Sequence, residues 1–228
     1  MKAFEPDGSG TYLDVLKGLN WILQNRWKYN ISVLNLSFGA PAGSFYWDDP
    51  VNQAVMKAWM VGIVVVAAAG NGGPEPLTIG VPANVPYVIT VGAMTDSYTP
   101  WDPGDDRLTT FSAAGPTFEG FAKPDLVAPG GHMLGQMPAN GWLPREHPEY
   151  VVPADDGFIM SGTSQAAAVV SGVVALLLER DSRLRPDDVK CRLIATADRA
   201  LAEDGSAAYS VFQQGAGLVN SLAALNSS

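Results

Sequence analysis

The chain has 228 residues, of which 47% are hydrophobic and 16% charged, and its formal net charge is -9 at pH 7. This length suits one large domain or two small ones, and the composition supplies enough apolar surface for a substantial core. The acidic balance argues against nucleic acid and anionic membranes as partners, because both repel negative charge. The single cysteine, Cys191, excludes an internal disulfide and a cysteine-based metal site.

Membrane insertion and secretion signals are not indicated by the apolar runs. The first ten residues, MKAFEPDGSG, lack the apolar stretch of a signal peptide. The longest apolar runs, at 61–69 and 166–178, are too short to span a bilayer, and the second has the length of a buried core helix.

Helix and strand patterns alternate along the chain. Apolar residues at helical spacing predict a helix over 11–28, and Asp48, Asp49 and Pro50 begin a second helix that Gly62 ends. Nearly continuous apolar runs predict buried strands at 31–37, 63–69, 87–93 and 126–128. Further helices are predicted at 164–180, from Pro186, and at 219–225.

This alternation predicts an α/β architecture with a mainly parallel sheet and helices on both faces. The Pro- and Gly-rich segment 99–157 contains many aromatic residues, so we expect ordered loops there. Neither a linker nor a repeat divides the sequence, and residues 1–228 are predicted to form a single domain. Ligands bind at the carboxyl ends of the strands in such sheets, and the segments 37–39 and 70–71 reach that edge.

The stretch SGTSQAAAVVSG, residues 161–172, begins the long apolar helix. A serine at a helix N-terminus lies near unpaired N–H groups and the positive end of the helix dipole, which favour an oxyanion. Small neighbours would let a substrate backbone approach. The stretch alone leaves two interpretations open: Ser164 is a nucleophile, or Ser164 or Thr163 caps a buried helix.

Asn71 follows a predicted buried strand and lies among glycines. Its side-chain amide is a good oxyanion donor if it points into the same cleft as Ser164. The alternative is an asparagine in a tight turn, which is a common arrangement.

Several ordered motifs together resemble the subtilisin-like serine proteases, or subtilases. Residues 161–172 resemble the serine motif, AAAGN at 67–71 the oxyanion-hole segment, and LNLSFG at 34–39 the strand that pairs with the substrate backbone. Similar stretches follow in the same order as FSAAGPT from Phe111, KPDLVAPGG from Lys123 and QGAGLVN at 214–220. The resemblance covers about residues 7–225 and implies a three-layer subtilisin-like fold.

The resemblance implies a serine endopeptidase with Ser164 as nucleophile and Asn71, together with the Ser164 backbone N–H, as oxyanion hole. An extended peptide or protein substrate would pair with Ser37, Phe38 and Gly39 by strand addition. The pocket for the residue before the scissile bond would be lined by Ala67, Ala68, Ala69 and Gly70. No cofactor is expected apart from the calcium that family members often bind.

The sequence contains no Asp- and Asn-rich pattern that indicates a calcium site. Asp102, Asp105 and Asp106 lie near a glycine but lack a ligand pattern, so we interpret them as a solvated acidic loop. The metal prediction is therefore none.

The resemblance also implies a histidine base and an aspartate that orients it, both upstream of LNLSFG. The 36 residues before Ser37 contain no histidine. We therefore expect an incomplete catalytic domain, truncated at its N-terminal edge, that is inactive or very weak as a protease by itself. His132 and His147 are interpreted as turn and loop residues, and Ala168 and Val169 stand where the family usually has proline and histidine.

Three hypotheses follow: a fragment of a subtilase catalytic domain, a pseudoenzyme that binds peptides or assembles, and a weak serine esterase with a substitute base. Because missing strands would leave the strand at 31–37 with a bare edge, a homo-oligomer through the N-terminal sheet edge is predicted. Localisation stays open, since the family is mostly secreted and the chain shows no signal peptide.

Overall fold

The computed structural model describes residues 3–5, 7–202 and 204–227, with the backbone alone at Pro103 and Asp155. Its helices are α1 (Tyr12–Tyr29), α2 (Pro50–Met60), α3 (Trp142–Glu146), α4 (Thr163–Arg180), α5 (Pro186–Ala195), α6 (Val211–Gln214) and α7 (Ser221–Asn226). Its strands are β1 (Val33–Leu36), β2 (Val64–Ala68), β3 (Ile89–Thr95), β4 (Arg107–Leu108), β5 (Leu126–Pro129), β6 (Met133–Gln136), β7 (Val151–Val152) and β8 (Gly157–Met160). None of the helices in the described part of the chain is both long and apolar enough to cross a bilayer.

A parallel sheet forms the centre of the fold. β1 pairs with β2, β2 with β3, and β3 with β5, all in parallel, while the short β4 pairs with β3 in the antiparallel sense. Every residue of β2 and β3 is buried, as expected for strands covered by helices on both faces. The α/β prediction is confirmed. Because Leu36 pairs with Ala67, the segments that follow β1 and β2 leave the sheet at the same edge.

The helix α4 crosses this sheet and contacts β1, β2, β3 and β5. Its buried side chains recur at helical spacing: Ala166, Ala167, Val170, Val173, Val174 and Leu177. Gly130 lets the start of α4 approach the end of β5, because a Cβ there would lie 2.7 Å from the Gly162 carbonyl oxygen and 3.1 Å from Ala166 Cβ. The Gly162 N–H donates to the Gly130 carbonyl at 2.8 Å, which fixes the beginning of the helix to the sheet.

The predicted elements are present with ends shifted by at most two residues, but the segment predicted to form loops at 99–157 was assigned wrongly in part. It contains β4, β6, β7 and α3 as well as β5, and β6, β8 and β7 form a separate antiparallel sheet. β6 is mostly exposed, so its residues carry no buried apolar pattern that sequence analysis could detect. α6, only four residues long, was also not predicted.

Three charged side chains form a buried cluster at the beginnings of β3 and β5. Lys123 is 1% exposed, and its Nζ lies 2.6 Å from Asp125 Oδ2 and 2.8 Å from the Val88 carbonyl oxygen. From α5, Lys190 Nζ lies 2.9 Å from Asp125 Oδ1. One carboxylate thus serves two ammonium groups. Burial lowers the pKa of Lys123 to about 7, with repulsion from Lys190 adding to the effect and attraction to Asp125 opposing it.

This cluster predicts a pH-dependent stability. The pKa of Lys123 is about 7 in the folded chain and ordinarily 10.5, so the folded chain binds fewer protons than the unfolded chain between these values. The free energy of unfolding contributed by Lys123 therefore rises with pH across that range. We expect urea denaturation at pH 7, 8 and 9 to show the wild type gaining stability relative to Lys123→Met. Lys17→Met, which alters an exposed pair, is the control. A difference between wild type and Lys123→Met that stays constant with pH would contradict the assignment.

Candidate active site

Two loops and the first turn of a helix meet at the carboxyl edge of the sheet. Residues 37–39 follow β1, residues 69–71 follow β2, and Ser164 lies in the first turn of α4. They meet because β1 and β2 pair in register and α4 begins directly over their ends. The structure thus brings together Ser37, Asn71 and Ser164, which are far apart in the sequence.

A hydrogen-bond network joins the end of β2 to the start of α4. The backbone N–H and the hydroxyl of Thr163 both donate to Asn71 Oδ1, each at 2.9 Å. The same Thr163 oxygen accepts from the Gly70 N–H at 3.1 Å, and the Thr163 residue is only 1% exposed. Because two donors hold the amide oxygen of Asn71, the orientation of the amide is set, and its Nδ2 donor has no acceptor among the residues that the structure describes.

Ser164 is not a capping residue. The N-cap of α4 is Gly162, which has no side chain that could cap the helix, and the first N–H of the helix donates to Asn71 Oδ1 instead. The Ser164 hydroxyl instead donates to the Ser37 carbonyl at 3.2 Å, and the Ser37 hydroxyl donates to the Ser164 carbonyl at 2.9 Å. Within the described residues the Ser164 N–H has no hydrogen-bond acceptor, so one of the free donors of the helix N-terminus lies beside its own hydroxyl.

An uncharged groove of about 640 Å³ runs beside these residues. Ser164 and Asn71 line it together with most of the predicted substrate-binding residues: Ser37, Phe38, Gly39, Ala68, Ala69 and Gly70. Ala67, also predicted there, is fully buried within β2 and is not part of the lining. Phe38 and Gly39 make no backbone hydrogen bonds among the described residues, so this short segment has free N–H and C=O groups.

A second hollow, of about 450 Å³, lies on the other side of residues 37–39. It is lined by residues 8–12, which sequence analysis did not assign to the site, and by apolar side chains that include Phe4, Val15 and Val51. Tyr12, which also lines the hollow, donates its hydroxyl to Asp49 at 3.1 Å. Burial and the Asp49 charge raise the pKa of Tyr12 to about 12, so this hydroxyl stays a donor. In the sequence, the only indication that this segment borders the site is the Gly-Ser-Gly at 8–10, ahead of α1.

Neither histidine forms a hydrogen bond with Ser164 in the part of the chain that the structure describes. The ring of His132 stacks on Tyr98 with centroids 4.1 Å apart, and its backbone N–H donates to Ser161 Oγ at 2.9 Å. His147 lies at the end of α3 with Nδ1 3.4 Å from Glu149 Oε1. Both positions agree with turn and loop residues.

The acidic loop presents no metal-binding set. Thr99 donates its hydroxyl to the Asp105 carboxylate at 2.7 Å. Burial, followed by repulsion from neighbouring aspartates, raises the pKa of Asp106. Across the described residues, no group of three or more His, Cys, Asp or Glu side chains could hold a metal ion.

The Thr163 network predicts a sharp difference between two substitutions. Thr163→Val should destabilise the fold by about 1–3 kcal/mol, because the Gly70 N–H loses its acceptor and the Asn71 oxygen loses a donor. Thr163→Ser keeps both hydrogen bonds and should cost less. Chemical denaturation of the three proteins measures the effect. Equal destabilisation by valine and serine would show that the hydroxyl does not hold the loop.

Comparisons with known proteins agree with this geometry. The Peptidase_S8 subtilase family matches residues 1–217. Serine protease AprX of Bacillus subtilis is 36% identical over 229 residues, covering 96% of this chain and 49% of AprX. Subtilisin DY of Bacillus licheniformis is 35% identical over 199 residues, covering 86% of this chain and 59% of that protein. The solved structure of the prenylagaramide maturation protease PagA matches with a TM-score of 0.69 and 27% identity, covering 95% of this chain and 68% of PagA.

The chain spans about half the length of these sequence relatives, with 49% of AprX and 59% of subtilisin DY covered. The family match nevertheless extends over residues 1–217 and so includes the groove, the Thr163 network and Ser164. Fold, site geometry and similarity to proteases lead to one conclusion: the chain belongs to the subtilase family.

Proposed function

We propose that this chain supplies the nucleophile, the oxyanion hole and the substrate groove of a serine endopeptidase. One observation carries the proposal. The Ser164 hydroxyl lies beside an uncharged groove together with the Ser164 N–H and the Asn71 amide group, neither of which donates to an acceptor in the described part of the chain. Relatives named as serine proteases support this reaction class.

In the proposed reaction, Ser164 Oγ attacks the carbonyl carbon of a peptide bond, and the carbonyl oxygen becomes an oxyanion. The Ser164 N–H and Asn71 Nδ2 would donate to this oxyanion, and such prearranged donors stabilise charge more strongly in the transition state than in the ground state. The hydrogen bonds from Thr163 hold the Asn71 amide in place before substrate arrives.

The substrate would bind as an extended strand along residues 37–39, where Phe38 and Gly39 offer free backbone groups. Side chains of an extended peptide point alternately to opposite sides. One side chain would therefore enter the 640 Å³ groove, and its neighbour would face the 450 Å³ hollow bordered by residues 8–12. Residues 8–10 would border the second side of the peptide.

Proton removal from Ser164 requires a further group that acts as the base. The Ser164 hydroxyl donates to the Ser37 carbonyl, and a backbone carbonyl is too weak a base to take the proton. Two uncovered surfaces flank the serine. β1 is hydrogen-bonded to β2 alone among the described strands. The outer face of α4 exposes Ala168, Gly172, Ala175 and Leu176. We propose that a strand and a helix carrying the base dock there, and that without them the activity is very weak.

Chemical rescue tests this proposal. Imidazole in solution can replace a missing histidine as proton acceptor, so fluorophosphonate labelling of Ser164 should be slow without imidazole and rise with its concentration. Ser164→Ala should abolish labelling, and Asn71→Ala should slow it by about tenfold or more. Mass spectrometry of peptides identifies the labelled residue.

Three results would contradict the proposal. Labelling that persists in Ser164→Ala would show that Ser164 is not the nucleophile. Fast labelling and nitrophenyl-ester hydrolysis without imidazole would favour a serine esterase with its own substitute base. If Ser164 is not labelled at any imidazole concentration although peptides still bind, a pseudoenzyme that binds peptides is favoured.

When no such strand is docked, the open edge of β1 supports a second proposal, a homo-oligomer of the chain formed through that edge. The Val64 N–H donates to the Ser32 carbonyl, so the backbone groups of residues 32, 34 and 36 face β2 and those of Val33 and Asn35 face outward. A strand with unpaired outward groups is a template for pairing with a second copy.

This assembly predicts that light scattering at high concentration detects a dimer. Asn35→Pro, which removes an outward N–H without breaking a β1–β2 hydrogen bond, should yield a monomer. Asn35→Ala loses the same side chain but keeps the N–H, and it should remain a dimer. A monomeric wild type at high concentration would contradict the proposal.

A further inference from the structure

Exposed aromatic rings from two separate loops form a cluster that we call the aromatic clamp: Phe45, Trp47 and Phe118. Phe45 and Trp47 stack with centroids 4.6 Å apart and an interplanar angle of 8°, and Phe118 packs on Phe45 at 5.5 Å. The three rings are 44%, 47% and 69% exposed, respectively. Large exposed apolar clusters of this kind mark binding surfaces.

The turn that carries Phe118 is held firmly. Thr117 is 1% exposed, and its hydroxyl accepts from the Phe121 N–H at 3.2 Å. The Tyr46 N–H donates to Glu119 Oε1 at 2.6 Å, which ties the turn to the loop of Phe45 and Trp47. Phe121 also packs edge-on against Tyr46 at 5.7 Å. The position of Phe118 is thus set before any ligand binds.

Phe118 connects the clamp to the active-site groove. It lines the groove with Ser164 and Asn71, although it belongs to neither the strand nor the helix that carries those residues. Leu77, another groove residue, is 63% exposed. None of the described side chains that line the groove is charged. An ammonium or guanidinium group inside it would lose hydration without an acidic partner, whereas an apolar side chain gains by covering these surfaces.

We propose that Phe118 is a specificity-determining residue that contacts an aromatic side chain of the peptide, at the substrate residue that enters the groove. The proposal rests on the endopeptidase function proposed above. An aromatic side chain fits because its ring can meet Phe118 edge-to-face, and such pairs gain free energy beyond the buried area. Since Phe45 already holds Phe118, little rotamer freedom is lost on binding.

Binding of product peptides tests this without requiring catalysis. Three N-acetylated tetrapeptides identical except for a C-terminal Phe, Ala or Arg are titrated into the full chain by calorimetry. We expect the Phe peptide to bind the wild type about tenfold more tightly than the Ala peptide. Phe118→Ala should remove most of this preference and leave the affinity for the Ala peptide unchanged. Phe118→Leu should retain an intermediate preference.

Phe121→Ala is the matched control, since it removes a ring from the same turn that does not line the groove. It should keep the Phe preference, because Phe45 still packs on Phe118 and Glu119 still accepts from the Tyr46 N–H. Circular dichroism shows whether each variant is folded. A preference that survives in Phe118→Ala, tighter binding of the Arg peptide, or equal weakening of the Phe and Ala peptides by Phe118→Ala would overturn the proposal.

A further variant separates this proposal from the proposed function. Gly39→Pro removes a free backbone N–H from the segment expected to pair with substrate, so it should weaken all three peptides. If it does, while Phe118→Ala keeps the Phe preference, only the role of Phe118 fails. If no peptide binds the wild type, or Gly39→Pro has no effect on any of them, the substrate groove of the proposed function fails as well and the role of Phe118 falls with it.

Discussion

The site depends on one set of hydrogen bonds, those that Thr163 makes with Asn71 and Gly70. Here a buried side chain at the first position of a helix forms hydrogen bonds with the loop that follows a neighbouring strand. The same contacts orient the Asn71 amide, and the next N–H, that of Ser164, has no acceptor among the described residues. Fold and site are therefore coupled, because a change that releases Thr163 both destabilises the loop and disorients the Asn71 amide.

The parallel sheet explains why this coupling is possible. Parallel strands in register end at a common edge, and a helix that crosses them starts above that edge. Small residues at the contact, Gly130 and Ala166, allow the close approach. The reciprocal hydrogen bonds between Ser37 and Ser164 then join the segment that follows β1 to the same helix turn. The proposed nucleophile, oxyanion donors and substrate strand are thus held by separate elements of one layer.

Sequence analysis predicted the buried elements well and the exposed ones poorly, for a physical reason. β2 and β3 are apolar throughout because both faces are covered, and such runs are visible in the sequence. β6 is mostly exposed and therefore leaves no such pattern. For the site, motif order predicts Ser164 and Asn71 as catalytic residues, which stays a prediction, whereas the contacts of Thr163 depend on which loop lies opposite it. The contributions of residues 8–10 and Phe118 likewise follow from three-dimensional proximity.

The central claim is that Ser164 and Asn71 form one catalytic centre. The most direct measurement is a crystal structure of the chain with imidazole and a peptide boronic acid, which forms a tetrahedral adduct on a nucleophilic serine when a base accepts the hydroxyl proton. The account predicts a bond from Ser164 Oγ to boron, with one boronate oxygen about 2.7–3.1 Å from both the Ser164 N–H nitrogen and Asn71 Nδ2. An adduct whose oxygens point to solvent, away from Asn71, or the absence of an adduct on Ser164 at saturating boronic acid, would contradict it.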